Sequence, residues 1–189
     1  MENSKVSCEV WYDQTWWEAE LPASWTFRQD QSIKGWPCLF ESPNRARLWI
    51  NTSKHVDISG WDLTIAPSEL STEQKKAFLL AASGASQLDI SELDVSKMKP
   101  HELAMMQHRL VMNRSSTLAS ARPKLKRHDA GELVGFTFAR QQQSECGWAG
   151  YFSHDPWMLN VAFNSPPGAD QDSEVALSVL ASVRFRGPN

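Results

Sequence analysis

The sequence predicts an α+β fold in which an antiparallel sheet is closed by a C-terminal helix. Two blocks of the chain, one before residue 60 and one after residue 124, alternate apolar and polar residues with a period of two. Between these blocks the apolar residues recur with the period of a helix. The second block ends in an amphipathic segment at 173–183, followed by a short strand-like tail.

The first block contains four or five short strands joined by tight turns, which indicates an antiparallel meander rather than βαβ units. Residues 6–12 place Val6 and Cys8 on one face and Glu9 on the other. The same alternation continues until Pro22 interrupts it. The predicted strands are residues 6–12, 16–21, 25–28, 38–41 and 47–51.

The middle of the chain is predicted to be helical. Ser71 or Thr72 can cap a first helix that ends near Gly84. Pro100 suits the start of a second, longer helix that reaches towards Leu118, because proline lacks the N–H that would be unsatisfied there. We therefore expect residues 86–118 to form an enlarged helical insertion.

The last block predicts four strands, a hairpin turn and the closing helix. The strands are residues 124–128, 133–140, 147–153 and 157–163, and the turn is residues 129–132. Asp172 or Ser173 can cap the helix, and Val175, Val179 and Leu180 lie on its apolar stripe. We expect this stripe to pack on the sheet face of Trp157, Leu159 and Val161.

Length and composition indicate a single globular domain over residues 1–189, with an N-terminal strand extension at 1–15. The net charge of -3 does not by itself indicate nucleic acid or a membrane as a partner, and we do not expect nucleic acid to be one. The N-terminus has no apolar segment typical of a secretory signal, and no apolar run reaches the ~20 residues of a membrane span. Three widely spaced cysteines favour reduced thiols. These features predict a cytoplasmic protein.

No motif predicts catalysis, a cofactor or a metal. His101 and Glu102 resemble the start of a zinc-binding helix, but Met105 occupies the position of the second histidine. His108 lies two helical turns away, too far to share an ion with His101. The sequence also has no phosphate-binding glycine loop and no serine nucleophile elbow. We therefore expect a non-enzymatic protein without cofactor or metal.

Several short motifs resemble the PsbP/DcrB-type family. They are the strand at 21–25 (Leu-Pro-Ala-Ser-Trp), residues 40–43 and 48–51, the turn at 155–156 and the final helix at 179–185 (Val-Leu-Ala-Ser-Val-Arg-Phe). The resemblance covers residues 16–185. It implies a curved antiparallel sheet of about six strands between helices, an α/β/α sandwich. The family includes photosystem extrinsic proteins, a Ran-binding import factor and adaptor chaperones of type VI secretion effectors.

Two groups of residues are candidates for partner binding. Between Leu103 and His128 there are basic residues but no acidic one, which makes Arg122, Lys124, Lys126 and Arg127 a candidate patch. The alternative is the solvated face of an edge strand. On the late strands the candidates are Trp148, Tyr151 and Met158, since the Met158 face is semi-polar and could form a concave surface. Ordinary packing is the alternative there.

The resemblance and the missing catalytic motifs together predict a cytosolic adaptor or chaperone for another protein, possible clients being secretion effectors or toxins. One alternative is a small hydrolase or transferase with a site on the concave sheet face, which requires a deep pocket with converging polar residues. Another is an immunity or anionic-partner-binding protein that uses the basic segment at 103–128.

Overall fold

The computed structural model describes residues 3–10, 15–30, 32, 37–54, 70–83, 90–91, 93–98, 102–103, 106, 125–142, 145–154, 157–169 and 171–187. The chain divides into two compact units. The first unit comprises Met1–His55 and His128–Asn189, and the second comprises Val56–Arg127. The first unit is therefore built from both ends of the chain. Strands from the two ends pair with each other, although residues 56–127 separate them in the sequence.

The described secondary structure includes ten strands, two α-helices and one 3-10 turn. The strands are β1 (Asn3–Glu9), β2 (Trp16–Pro22), β3 (Thr26–Gln29), β4 (Cys38–Glu41), β5 (Arg47–Lys54), β6 (Leu125–Ala130), β7 (Leu133–Gln142), β8 (Glu145–His154), β9 (Trp157–Ser165) and β10 (Arg184–Arg186). The helices are α1 (Thr72–Ser83) and α2 (Gln171–Ala181), and the 3-10 turn is Val95–Lys97.

Seven strands form the main sheet, in the order β3-β4-β5-β9-β8-β7-β6. The pairings for which a register is defined are antiparallel. At the centre, β5 pairs with β9, so Ile50 lies opposite Val161 and Asn51 lies opposite Asn160. This pairing joins the first and last blocks of the sequence.

Three strands form the small sheet, in the order β1-β2-β10. β1 pairs with β2 along its whole length, and β10 pairs with Trp16, Trp17 and Glu18 only. The Trp17 indole N–H donates to the Thr52 hydroxyl at 3.0 Å, which ties the small sheet to β5 of the main sheet.

The core lies between the two sheets and α2. One cluster of buried apolar residues includes Trp17, Phe40, Leu159 and Leu180. The apolar stripe of α2 lies in the cluster that also contains Trp157, Leu159 and Val161, as the sequence predicted. Burying such side chains contributes roughly 1.5–3 kcal/mol each.

The N-terminus of α2 is held by side-chain hydrogen bonds rather than by a simple cap. Buried Asp172 accepts a hydrogen bond from Ser42 at 2.7 Å and another from Asn44 at 3.3 Å. The Ser42 hydroxyl oxygen in turn accepts the backbone N–H of Ala46 at 3.0 Å. The β4–β5 turn and the helix start therefore stabilise each other.

The turn between β6 and β7 requires glycine for two reasons. Gly131 has a φ of +64°, which side chains disfavour. A Cβ at this position would also lie 2.3 Å from the Ala181 carbonyl oxygen at the end of α2. The turn predicted at 129–132 is therefore also where α2 approaches the β6–β7 hairpin.

The second unit contains α1 and the 3-10 turn. Ser71 caps α1: its hydroxyl accepts the Gln74 backbone N–H at 3.3 Å, and the Gln74 amide oxygen accepts the Ser71 N–H at 2.8 Å. Lys75 donates to the Met98 carbonyl oxygen at 3.1 Å, which joins α1 to the turn.

The α+β class, the antiparallel sheets and the C-terminal helix are confirmed. The main sheet has seven strands instead of the expected six or so, and three further strands form a second sheet that was not expected. The expectation of a single domain stays a prediction. Most of the helical insertion expected at 86–118 lies outside the described residues.

Candidate functional site on the outer face of the main sheet

The main sheet has a core face and an outer face. Because side chains alternate along a strand, Ile50 and Val161 point into the core cluster, whereas Trp49 and Asn160 point to the outer face. The outer face also carries these residues of β5, β8 and β9: Asn51, Ala149, Tyr151, Met158, Ala162 and Asn164.

Trp49 lies in this face with an exposed indole. It is 38% exposed, and it is the one large hydrophobic side chain that is exposed among the described residues. Its cross-strand neighbours are Leu39 on β4 and Ala162 on β9. An exposed tryptophan in the interior of a sheet, rather than at a loop tip, is a rigid apolar anchor of the kind found at binding hot spots.

Next to Trp49 is a polar group without a partner. The Asn160 Oδ1 atom is buried and has no hydrogen-bond partner in the part of the chain that the structure describes. Asn160 lies opposite exposed Asn51 on one side and opposite Tyr151 on the other. Buried acceptors are normally satisfied, so an orphaned carbonyl oxygen at this position needs a physical explanation. We call Trp49, Asn51 and Asn160 the outer-face patch.

Two of the predicted partner-binding residues lie beside this patch. Tyr151 is the cross-strand neighbour of Asn160, and Met158 is two residues from Asn160 on β9. Both belong to the outer face by their strand register. They are only 7% and 8% exposed respectively, so neither offers much free surface. Their role in partner binding stays a prediction.

Trp148 does not share this surface, because it points from β8 towards the core face. Its ring stacks on Phe163 with 5.4 Å between ring centroids, and its indole N–H donates to the Ser173 hydroxyl at 2.9 Å. These contacts fix α2 against the sheet. They account for Trp148 as a structural residue of the core.

The predicted basic patch is only partly described. Arg122 and Lys124 lie outside the described residues, Lys126 is exposed, and Arg127 is 3.6 Å from Glu102 in an ion pair within the second unit. The Glu102 side chain is 1% exposed. Arg127 therefore neutralises a buried carboxylate, which is a structural task.

A separate open groove of about 460 Å³ lies along the small sheet and α2. Its lining residues are Lys5, Glu18, Ala19, Glu20, Ser178, Ala181, Ser182, Arg184 and Arg186. Positive and negative side chains alternate there. The hydroxyls of Ser178 and Ser182 each donate at 2.7 Å to a helix carbonyl oxygen three residues earlier, which leaves them poor nucleophiles.

The central carboxylate of the groove is held ionised. A hydrogen bond from Lys5, with an N–O distance of 2.6 Å, lowers the pKa of Glu18 below its ordinary value, and Arg186 at 3.5 Å acts in the same direction. A general acid at neutral pH needs a pKa raised towards 7. The groove therefore has the electrostatics of a solvated ion-pair network.

Among the described residues, no three His, Cys, Asp or Glu side chains are grouped as a metal site. No described helix is long and apolar enough to cross a membrane.

The sequence carried a signal for Trp49 that motif reasoning overlooked. In the strand 47–51, Leu48 and Ile50 share one parity while Trp49 and Asn51 share the other, so an aromatic residue stands on the polar face. Asn160 shows the same pattern among the apolar residues of β9. The orphaned oxygen of Asn160, by contrast, becomes visible only once cross-strand neighbours are known.

No protein-family profile matches the sequence, and no curated protein matches it. Solved structures do resemble it. A crystal structure from Bacteroides thetaiotaomicron has a TM-score of 0.48 at 11% identity over 98% of this chain, which spans 49% of that protein. The solution structure of cyanobacterial PsbP (CyanoP) from Synechocystis has a TM-score of 0.45 at 12% identity, covering 98% of this chain and 95% of that one.

The crystal structure of LpqN, involved in cell envelope biogenesis of Mycobacterium tuberculosis, has a TM-score of 0.46 at 8% identity, covering 100% of this chain and 93% of that one. A PsbP protein is thus among the structures that this chain resembles, as its sequence motifs predicted. At these TM-scores and identities, the likenesses carry no inference about what the chain does.

Proposed function

We propose that the protein is a non-enzymatic cytoplasmic adaptor or chaperone that binds a segment of another protein on its outer-face patch. The observation that carries this proposal is the exposed indole of Trp49 in the interior of a sheet face. The family resemblance in the sequence motifs suggests secretion effectors or toxins as clients.

The patch combines the two kinds of contact that a polypeptide segment needs. Trp49 offers apolar area for a side chain of the partner, and its backbone is held rigidly between β4 and β9. Asn51 and Asn160 offer amide groups, and the Asn160 Oδ1 atom can accept a donor from the partner. A partner N–H would relieve the desolvation cost of this buried oxygen, roughly 1–3 kcal/mol.

The chemistry of the described residues favours binding over catalysis. The carboxylates whose pKa values are shifted, Glu18, Asp30 and Asp94, are all shifted downwards by hydrogen bonds to neighbouring donors. Such groups stay ionised at neutral pH and neither give nor take a proton readily. The hydroxyls of Ser178 and Ser182 in the groove donate hydrogen bonds to helix carbonyl oxygens, which leaves them poor nucleophiles.

The proposal is tested by site-specific photo-crosslinking in native lysate. A benzophenone amino acid replaces Asn51, which is exposed beside Trp49, and in a control it replaces Ser7, which is exposed on the small sheet. We expect one protein to be crosslinked at position 51 and not at position 7. That protein is then purified and its affinity measured by calorimetry.

Point variants show whether the affinity depends on the patch. We expect Trp49→Ala to weaken binding at least tenfold, whereas Trp16→Ala, which removes a half-buried tryptophan of the small sheet, leaves it unchanged. Asn160→Ala should weaken binding without destabilising the free protein, because Oδ1 has no partner to lose. Equal affinity of the Trp49→Ala variant and the parent would disprove the proposed site.

A further inference from the structure

Two buried cysteines from different sheets meet in the core. Cys8 lies on β1 of the small sheet and Cys38 on β4 of the main sheet. They are 0% and 1% exposed, and both are free thiols. Their side chains are joined by a hydrogen bond.

The backbone around the two cysteines fixes their approach independently. The Gln29 side-chain amide donates to the Glu9 carbonyl oxygen at 2.8 Å and accepts the Glu9 backbone N–H at 3.1 Å. Glu9 follows Cys8, and Gln29 is the cross-strand partner of Cys38. The strand that carries Cys8 is therefore tied to β3, at the residue of β3 that lies opposite Cys38.

Aromatic packing beside the two cysteines also joins the small sheet to the main sheet. Trp17 is the cross-strand partner of Cys8, and its ring centroid is 6.3 Å from that of Phe40, two residues after Cys38. The thiols are thus enclosed by neighbours that themselves bridge the two sheets. A disulfide demands that the two cysteines approach each other closely, and these contacts hold the two sheets together beside the thiols.

We propose that Cys8 and Cys38 are an oxidative modification site, at which a low-molecular-weight disulfide converts the two thiols into a disulfide that ties β1 to β4. In the first step the Cys8 sulfur attacks the small disulfide, forms a mixed disulfide and releases one small thiolate. In the second step the Cys38 sulfur attacks the Cys8 sulfur and releases the second small thiolate. The two thiol protons of the protein pass to the released thiolates, so one small disulfide is reduced to two thiols.

Access to the thiols limits the reaction. Burial and the hydrogen bond with Cys38 raise the pKa of the Cys8 thiol far above its ordinary value, so it is protonated in the closed structure. β1 is an edge strand that pairs only with β2 within its sheet. Oxidation therefore requires β1 to open, and its rate reports that local opening.

The experiment uses the full chain carrying Cys146→Ser, which removes an exposed thiol outside the site. The protein is incubated with oxidised glutathione, quenched by alkylation under denaturing conditions, and digested with trypsin. We expect a cross-linked pair of peptides, 6–28 joined to 35–45. Oxidation should be about tenfold faster in mild, non-denaturing urea, which favours opening of β1.

The oxidised protein should melt about 10 °C higher than the reduced protein, since the cross-link restricts the unfolded chain. This increase should disappear on reduction and be absent in Cys8→Ala and Cys38→Ala, which are compared with their own untreated samples. Recovery of both cysteines as alkylated thiols after oxidation in mild urea would overturn the proposal. So would glutathione bound stably to Cys8 beside a free Cys38, or a cross-linked product that melts no higher than the reduced protein.

Discussion

Asp172 joins the first turn of α2 to the turn between β4 and β5. Its carboxylate accepts hydrogen bonds from Ser42 and Asn44 across a long sequence separation, and it is only 6% exposed. A buried acceptor that serves two donors from a turn joins that turn to the helix. Removing the acceptor leaves those donors unsatisfied, which costs more than the hydrogen bonds contribute.

We therefore expect Asp172→Ala to lower the free energy of unfolding by about 1–3 kcal/mol, measured by urea denaturation. Glu174→Ala is the matched control, because Glu174 lies on the same helix turn with an exposed side chain. A loss no larger than that of the control would mean that the β4–β5 turn and α2 are held by the core alone.

Glu18 makes the small sheet sensitive to acid. Its pKa is lowered in the folded state, chiefly by the hydrogen bond from Lys5, so the ionised form stabilises the fold above the ordinary value of 4.5. That contribution is lost as the pH falls below 4.5 through the lowered folded pKa. We expect Glu18→Gln to melt below the parent at pH 7, and the difference to shrink as the pH falls below 4.5. Because the network is solvated, the difference at pH 7 should also shrink in 1 M salt. A difference that stays the same as the pH falls would point to lost packing instead.

At the scale of elements, α2 holds the core closed. Leu180 is fully buried in the cluster that contains Trp157 and Leu159. Leu180→Ala should lower the free energy of unfolding by about 2–5 kcal/mol, because it removes apolar contacts and leaves a cavity. Ser178→Ala, an exposed change on the same helix, is the control. If Leu180→Ala melted like the parent, α2 would not be the closing element of the core.

The sequence predicted most elements but not their pairing. β2, β4, α1 and β9 lie close to their predicted positions, since alternation and capping are local signals. The division into two sheets was not predictable, because β10 pairs with β2 from the far end of the chain. The side of β5 on which Trp49 lies could be predicted from the alternation of residues along the strand. Its exposure could not, because it depends on which residues cover each face of the main sheet.

At the scale of the whole molecule, the first unit is dominated by long-range pairing. β5 can pair with β9 only after residues 55–156 have been synthesised. In the same way, β2 can pair with β10 only after the chain has been synthesised as far as β10. Such pairings carry a large cost in chain entropy before they become favourable. The rate of folding should therefore reflect topology more than helix formation.

We expect refolding of the main sheet on the order of milliseconds to seconds, as for other proteins rich in non-local strand pairs. Stopped-flow tryptophan fluorescence would measure it, and Trp49→Phe would show how much of the signal comes from the outer face. Complete refolding within microseconds would show that local contacts dominate.

The edges of the small sheet affect how a partner can bind. At Glu9 the backbone N–H and carbonyl are both occupied by the Gln29 amide, and at Glu20 the backbone N–H donates to the Ser182 hydroxyl at 2.8 Å. A partner strand that tried to extend the sheet at either point would first have to displace a side chain of the protein itself. The molecule thus discourages recognition by strand addition at these two points, which favours partners that present side chains to a sheet face.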